Sequence, residues 1–442
     1  MTPLQPDRLV IRGRRVVTED GVRPASVHIA GGRIVSVSTH DASVGDAEEI
    51  DAGDAVVMPG VVDTHVHVNA PGRAEWEGFE TATRAAAAGG VTTFLDMPLN
   101  AIPATTTVDA LRAKRDEARG KTVVNVEFIG GLVPGNADQL EPLARAGVRA
   151  FKCFLTPSGV DEFPAVNERD LREAFPVLAR TGLPLMVHAE DPTLLVAAPA
   201  GGSRSYADYL ASRPATAESS AVALMVRLLE WCPTPVHIVH LSSAASLAPV
   251  RLARAHGLPI TVETCPHYLT FAANEIPDGN TAFKCAPPIR DAGEREALWS
   301  ALIADEINLV ASDHSPCPPA MKETGGDFFA AWGGIASLQL SLAATWTGAR
   351  DRGIGLERIA HWMSAAPARL AGLSRKGSLI PGNDADVVIW DPDASFVVDP
   401  STLRHRHHIT PYAGRTLFGV VRATYVGGGR VFGEPISPPT QA

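Results

Sequence analysis

Val57-Met58-Pro59-Gly60-Val61-Val62-Asp63-Thr64-His65-Val66-His67 is an apolar run that ends in two histidines two residues apart. On a strand, residues at that spacing share a face, so both imidazoles aim at one point, as a metal ion requires. Fourteen histidines in 442 residues put some pairs at this spacing by chance. The metal reading therefore depends on further candidates at the ends of later strand-like runs.

Working outward, eight apolar segments read as strands: Val57 to His67, Val91 to Met97, Val123 to Gly130, Val148 to Leu155, Leu185 to Glu190, Val236 to Leu241, Ile260 to Pro266 and Ile307 to His314. Amphipathic or Ala-rich helical stretches follow them, such as Glu80 to Ala88, Glu168 to Arg180 and Ser243 to Ala255. This alternation marks βα units around a parallel sheet, and eight of them predict a (β/α)8 TIM-like barrel rather than an open sheet. Residues 8 to 57 instead carry short β-like segments between Gly-Gly and Gly-Asp turns, and the same texture returns in Ala385 to Trp390 and Gly419 to Val426. The expected fold class is therefore α/β, a barrel with a small β-sandwich domain built from both termini. Residues 1–57 and 376–442 are expected to form the two parts of that domain, and residues 58–375 the barrel.

Composition narrows the function classes. With 45% hydrophobic residues the chain has enough apolar surface for a large core. A net charge of −10 without a long basic block argues against nucleic acid or an anionic membrane as partner. A small neutral or weakly charged substrate fits better. Cys153, Cys232, Cys265, Cys285 and Cys317 are odd in number and lack a CxxC pair, which suggests neither a disulfide framework nor a structural zinc site. A cytoplasmic location is expected, since no export signal and no uninterrupted run of about twenty apolar residues is seen.

In a (β/α)8 barrel the active site lies at the C-terminal ends of the strands, so polar residues that close an apolar run come first. His65 and His67 close the first run, Lys152 sits in the fourth, His188 in the fifth, His240 in the sixth, and Asp313 in the eighth. Lys152 lies in Val148-Arg149-Ala150-Phe151-Lys152-Cys153-Phe154-Leu155, where a bare ammonium is poorly solvated. Either its amine reaches the barrel mouth, or it reacts with carbon dioxide to give a carbamate able to bridge two metals. His237 and His240 are three apart and so face opposite ways on a regular strand. His240, nearer the C-terminal end, is favoured as ligand, with His237 packed structurally. Four histidines, a modified lysine and an aspartate suit two divalent ions, zinc or a similar metal, with a hydroxide between them. His314, His267 and His361 are expected in supporting hydrogen bonds or at the surface, with His267 a lesser candidate for substrate contact.

These residues resemble those of the cyclic amidohydrolases of the amidohydrolase superfamily, and within them the allantoinases. The resemblance covers essentially the whole chain. The segments that carry the narrower likeness are Asn69 to Phe79, Asp96-Met97-Pro98-Leu99-Asn100, Lys284 to Arg290, Ser312-Asp313-His314-Ser315-Pro316-Cys317, and Gly326-Asp327-Phe328 through Trp332-Gly333-Gly334-Ile335. Carried over by motif, it implies metal ligands at His65, His67, carboxylated Lys152, His188, His240 and Asp313, with Asp313 also the catalytic base. It further implies a homotetramer and allantoin as the small-molecule substrate. Dihydroorotases resemble the chain but place an arginine just after the HxH motif, where Asn69 stands here. Hydantoinases and dihydropyrimidinases place a tyrosine shortly after the modified lysine, which this chain lacks, so Ser158 is expected to serve instead.

The expected reaction is attack of the bridging hydroxide on the ring amide of allantoin, with Asp313 passing the proton to the leaving nitrogen and allantoate as product. Asn69, Asn100, Ser158, Cys285, Ala286, Trp332 and Gly333 are the pocket candidates. The metal is zinc, cobalt, manganese or iron, all of which accept these ligands. Competing readings are a hydantoinase or dihydropyrimidinase with the same metals, and a non-catalytic interaction-type homologue. Arg404-His405-Arg406-His407-His408, where allantoinases carry a lysine-containing stretch, reads as a solvated basic loop near the barrel mouth.

Overall fold

The computed structural model describes residues 8–43 and 45–434. Eight strands run through its centre: β1 (Val61–Val66), β2 (Val91–Asp96), β3 (Asn125–Phe128), β4 (Phe151–Phe154), β5 (Leu185–His188), β6 (Val236–Ile238), β7 (Ile260–Thr264) and β8 (Leu309–Val310). They pair in parallel and in chain order, β1 to β3 and β4 to β8, with Gly130–Gly131 pairing on β4 just after β3. The ring closes between the last and first staves, where the His67 amide donates to the His314 carbonyl at 2.8 Å. This is the barrel that the alternation predicts. Every residue of β1, β2, β4 and β5 is buried, as expected of strands covered on both faces.

The helix Glu168–Thr181 shows how the outer layer is specified. Asn167 caps its first turn in a capping box with Asp170, and Gly182 ends it at φ 67°. Leu171, Ala174, Phe175 and Leu178, spaced at three and four residues, form its buried stripe against the barrel.

Strands from both chain ends share a second, eight-stranded sheet. At its centre Val56–Pro59 pairs antiparallel with Val387–Trp390 and parallel with Arg15 and Val16. The run expected as a single strand over Val57 to His67 is thus two strands in two sheets, and the boundary expected at residue 57 falls inside a paired strand. Gly60 marks the break, because a Cβ there would overlap the Thr92 side chain. The end-to-end sheet has its own core, which includes Leu9, Ile11, Val27, Ile389 and Tyr425. Among the described residues no helix is long and apolar enough to cross a membrane.

Beneath the site, Lys114 and Asp96 form an ion pair at 2.7 Å with both side chains fully buried. Lys114 also donates to the Met97 carbonyl, and Asp96 accepts the Val68 amide one residue beyond His67. Lys114→Ala leaves a buried carboxylate unpaired, so we expect a loss of about 3–5 kcal/mol of stability. A large drop in melting temperature checks this.

Candidate metal centre and active site

The strand ends bring the six expected ligands to one end of the barrel. His65, His67 and Asp313 are buried, and one ligand atom from each lies within 4.8 Å of the others. Asp313 Oδ1 stands 3.2 Å from His65 Nε2 and 3.5 Å from His67 Nε2. The His240 ring is centred 5.3 Å from that of His65 and 4.7 Å from that of His188, with His188 Nδ1 and His240 Nε2 3.1 Å apart. Lys152 completes the ring of groups. Its Nζ has no hydrogen-bond partner, the residue is fully buried, and the ammonium lies 4.9 Å from the Phe154 ring centre.

Burial prepares this chemistry. It pushes His67 down to about 4 and His188 and His240 below the ordinary histidine value, so their imidazoles stay neutral with lone pairs free. Burial also lowers Lys152 to about 8, against the pull of Asp313 and Glu263, which enlarges the fraction of free amine able to react with carbon dioxide. Burial opposes ionisation of Asp313, but the surrounding His65 and His67 rings outweigh it and hold the carboxyl below its usual range. A buried amine without a hydrogen-bond partner, beside neutral imidazoles and a carboxylate, fits a site for a divalent cation.

Two carboxylates behind the ligands were not anticipated. Glu263, in β7, accepts from His65 Nδ1 at 2.6 Å and from His237 Nε2 at 2.9 Å. Glu190 accepts from His188 Nε2 at 2.7 Å and is held in turn by Arg213. Burial opposes both charges, yet Arg213 and His188 beside Glu190, and the His65 and His237 hydrogen bonds to Glu263, bring each down to about 2. The result is a fixed tautomer on each ring: Nε2 of His65 and Nδ1 of His188 are left free for a metal. Glu263→Gln is therefore expected to weaken metal binding or activity by about 10–100-fold, checked by metal titration of the purified variant.

His237 corrects an expectation. It was expected to face away from His240, but it shares Glu263 with His65 and so points to the same interior. Strand β6 ends at Ile238, and His240 has φ 41°, which breaks the alternation and turns its ring inward as well. Asn69, Asn100 and Asp313 also have positive φ, at 66°, 64° and 45°. Backbone strain of about 1–3 kcal/mol per residue is tolerated where the surroundings enforce it, often at functional sites.

The Amidohydrolase family matches residues 56–431. The chain belongs to that family. This amidohydrolase is 52% identical over 427 residues to a protein named allantoinase from Streptomyces avermitilis, covering 96% of each chain. It is 45% identical over 448 residues to an Arabidopsis thaliana allantoinase, covering 97% of this chain and 88% of the plant protein. Among solved structures, an L-hydantoinase (dihydropyrimidinase) from Arthrobacter aurescens superposes with a TM-score of 0.93 at 32% identity, covering 99% of this chain and 98% of that one.

The amidohydrolase cluster opens into a cavity of about 950 Å³. Of the expected pocket residues, Asn100, Ser158, Ala286, Trp332 and Gly333 line it. Asn69 and Cys285 do not. Asn69 stands behind Asn100, accepting from its Nδ2 at 2.9 Å and donating to the Pro316 carbonyl, while the Cys285 thiol faces the Pro287 carbonyl. The Ser158 hydroxyl is already committed to the Phe163 carbonyl at 2.6 Å, so it meets a ligand only as an acceptor. Asn100 Oδ1 is buried without a partner, a free acceptor at the cavity wall.

The basic segment is solvated at Arg404, Arg406 and His408, as expected, but not at His405. His405 is buried, its ring centred 4.7 Å from that of His314, and its Nε2 accepts the Gln339 amide. The Arg406 amide donates to the fully buried Glu77, which also lies 3.6 Å from His314 Nε2. The segment thus packs a histidine and a carboxylate beneath the residue next to Asp313. His267 is buried but does not line the cavity, and His361 lies half-buried outside this site.

Proposed function

We propose that this enzyme hydrolyses the cyclic amide of allantoin to allantoate. The observation that carries the reading is the 52% identity, over 96% of both chains, to a protein named allantoinase. His65, His67, His188, His240, Asp313 and carboxylated Lys152 would hold two divalent cations, zinc foremost, with cobalt, manganese or iron as alternatives. When bound, such ions polarise a carbonyl and bring the pKa of water to about 7.

The chain's own residues supply the rest. Asp313 accepts a proton from the attacking water and delivers it to the ring nitrogen as the C–N bond breaks and the new C–O bond forms. Glu263 and Glu190 hold the imidazoles of His65 and His188 so that no reorganisation accompanies the reaction. Asn100 Oδ1 offers an acceptor to a ring N–H, and Trp332, edge-on to Trp76 with ring centres 4.9 Å apart, walls the cavity beside Gly333. Asn69, which leaves no cation at the dihydroorotase arginine position, supports a substrate ring without a carboxylate.

The reading extends to a cytoplasmic homotetramer whose barrel begins after the strand Val56–Pro59 and is flanked by a domain built from both chain ends. Free thiols at all five cysteines agree with a reducing compartment. Conversion of allantoin by metal-loaded protein to a single product one water heavier, read by mass spectrometry, is the expected result. Unchanged allantoin at full metal occupancy would overturn it.

A further inference from the structure

We propose that Cys265, His267 and Asp313 form a second cation site, suited to thiophilic divalent ions such as Cd2+, whose filling draws Asp313 out of the catalytic cluster. Cys265 and His267 follow the C-terminal end of β7, and Asp313 follows β8, so neighbouring staves deliver all three. One ligand atom from each lies within 4.8 Å of the others, the same compactness that gathers His65, His67 and Asp313. All three residues are buried.

The His267 ring points to a ligand independently of that spacing. It is fully buried, and both of its nitrogens lack a hydrogen-bond partner. A buried imidazole with two unmet polar atoms is costly unless something binds there. Substrate is not that partner, because neither Cys265 nor His267 lines the cavity. The proposed catalysis uses neither of them.

The donor set decides the kind of ion. The six catalytic ligands are nitrogen and oxygen donors, whereas this triplet adds a sulfur. Thiolate donors favour soft and borderline ions over magnesium, calcium or manganese. On binding, the Cys265 S–H bond breaks, the S–Cd bond forms and one proton leaves to solvent. Asp313 belongs to both triplets, so an ion in the second site competes with the catalytic pair for its carboxylate.

The test adds Cd2+ to zinc-loaded full-length protein and reads the ultraviolet thiolate-to-cadmium charge-transfer band. The band is expected in the unmodified protein, and in Cys153→Ala and Cys317→Ala. It should vanish in Cys265→Ala, whereas His267→Ala should keep it with cadmium affinity reduced at least about tenfold. No band in the unmodified protein, or a band that survives Cys265→Ala, overturns the site. Should those variants fail to fold, X-ray absorption of the cadmium-treated unmodified protein decides: one sulfur with an imidazole per ion is required, and a shell of nitrogen and oxygen alone refutes it. Inhibition of allantoin hydrolysis by Cd2+ rests on the proposed function. The band does not, so a zinc-loaded protein that is inactive on allantoin before Cd2+ is added yet shows the band afterwards indicts that function, and hydrolysis before Cd2+ with no band after it indicts this site.

Discussion

Asp313→Asn is expected to lower kcat on allantoin by about 10²–10⁴-fold, the range supplied by a positioned general acid or base. The amide keeps the shape of the carboxylate but cannot accept the proton of the attacking water. The fold should survive, because Asp313 contributes no strand pairing and its side chain is held only by the two imidazoles. The loss should therefore appear in kcat with an unchanged melting temperature in metal-free protein. An Asp313→Asn enzyme of near-normal kcat would remove Asp313 from the proton path and leave the reaction without an assigned base.

Lys152→Met is expected to separate activity from stability. Lys152 Nζ is buried without a partner, and the residue lies among Phe154, Met186 and other interior groups. Exchanging the amine for a thioether of similar length removes a desolvation cost, so metal-free stability should hold or rise. Activity should nevertheless fall by at least about 10²-fold, since on the proposed function a carboxylated Lys152 would help hold the divalent cations and the thioether could not. Differential scanning of metal-free protein, with metal content and turnover measured in parallel, reads both effects. A variant that loses stability but keeps its metals would make Lys152 a structural cation rather than a ligand.

Much of this was legible because barrel strands are covered on both faces. They appear in the sequence as short unbroken apolar runs, and the ligands stand out as polar residues at their ends, His65 and Asp313 most clearly. The signal that exposes Lys152, a charge within an apolar strand, is present for Glu263 in Ile260-Thr261-Val262-Glu263-Thr264 as well. What the sequence hides is its partner, since His65 lies 198 residues away and only barrel closure joins them. The His237 and His240 assignment rested on strict alternation, which the positive φ at His240 breaks. Gly60 looked like one residue in a continuous run, yet close passage against Thr92 makes it the point where the chain changes sheets.

The pocket was less legible than the metal cluster for a physical reason. The proposed metal ligands sit on strand ends whose direction is fixed by the barrel, whereas Asn69, Ser158 and Cys285 sit in loops whose side chains turn to satisfy local carbonyls. The segment from Arg404 to His408 reads as solvated from its charge. That holds for Arg404, Arg406 and His408, whereas the burial of His405 and the tie of the Arg406 amide to Glu77 depend on Gln339, Glu77 and His314, more than sixty positions away.

The most direct measurement compares hydrolysis of allantoin, hydantoin, dihydrouracil and dihydroorotate by metal-supplemented protein, with bicarbonate present so that Lys152 is able to carboxylate. Rapid allantoin turnover with the other three near background is the predicted result. Preference for hydantoin or dihydrouracil would contradict the substrate assignment while leaving the barrel and its ligands intact.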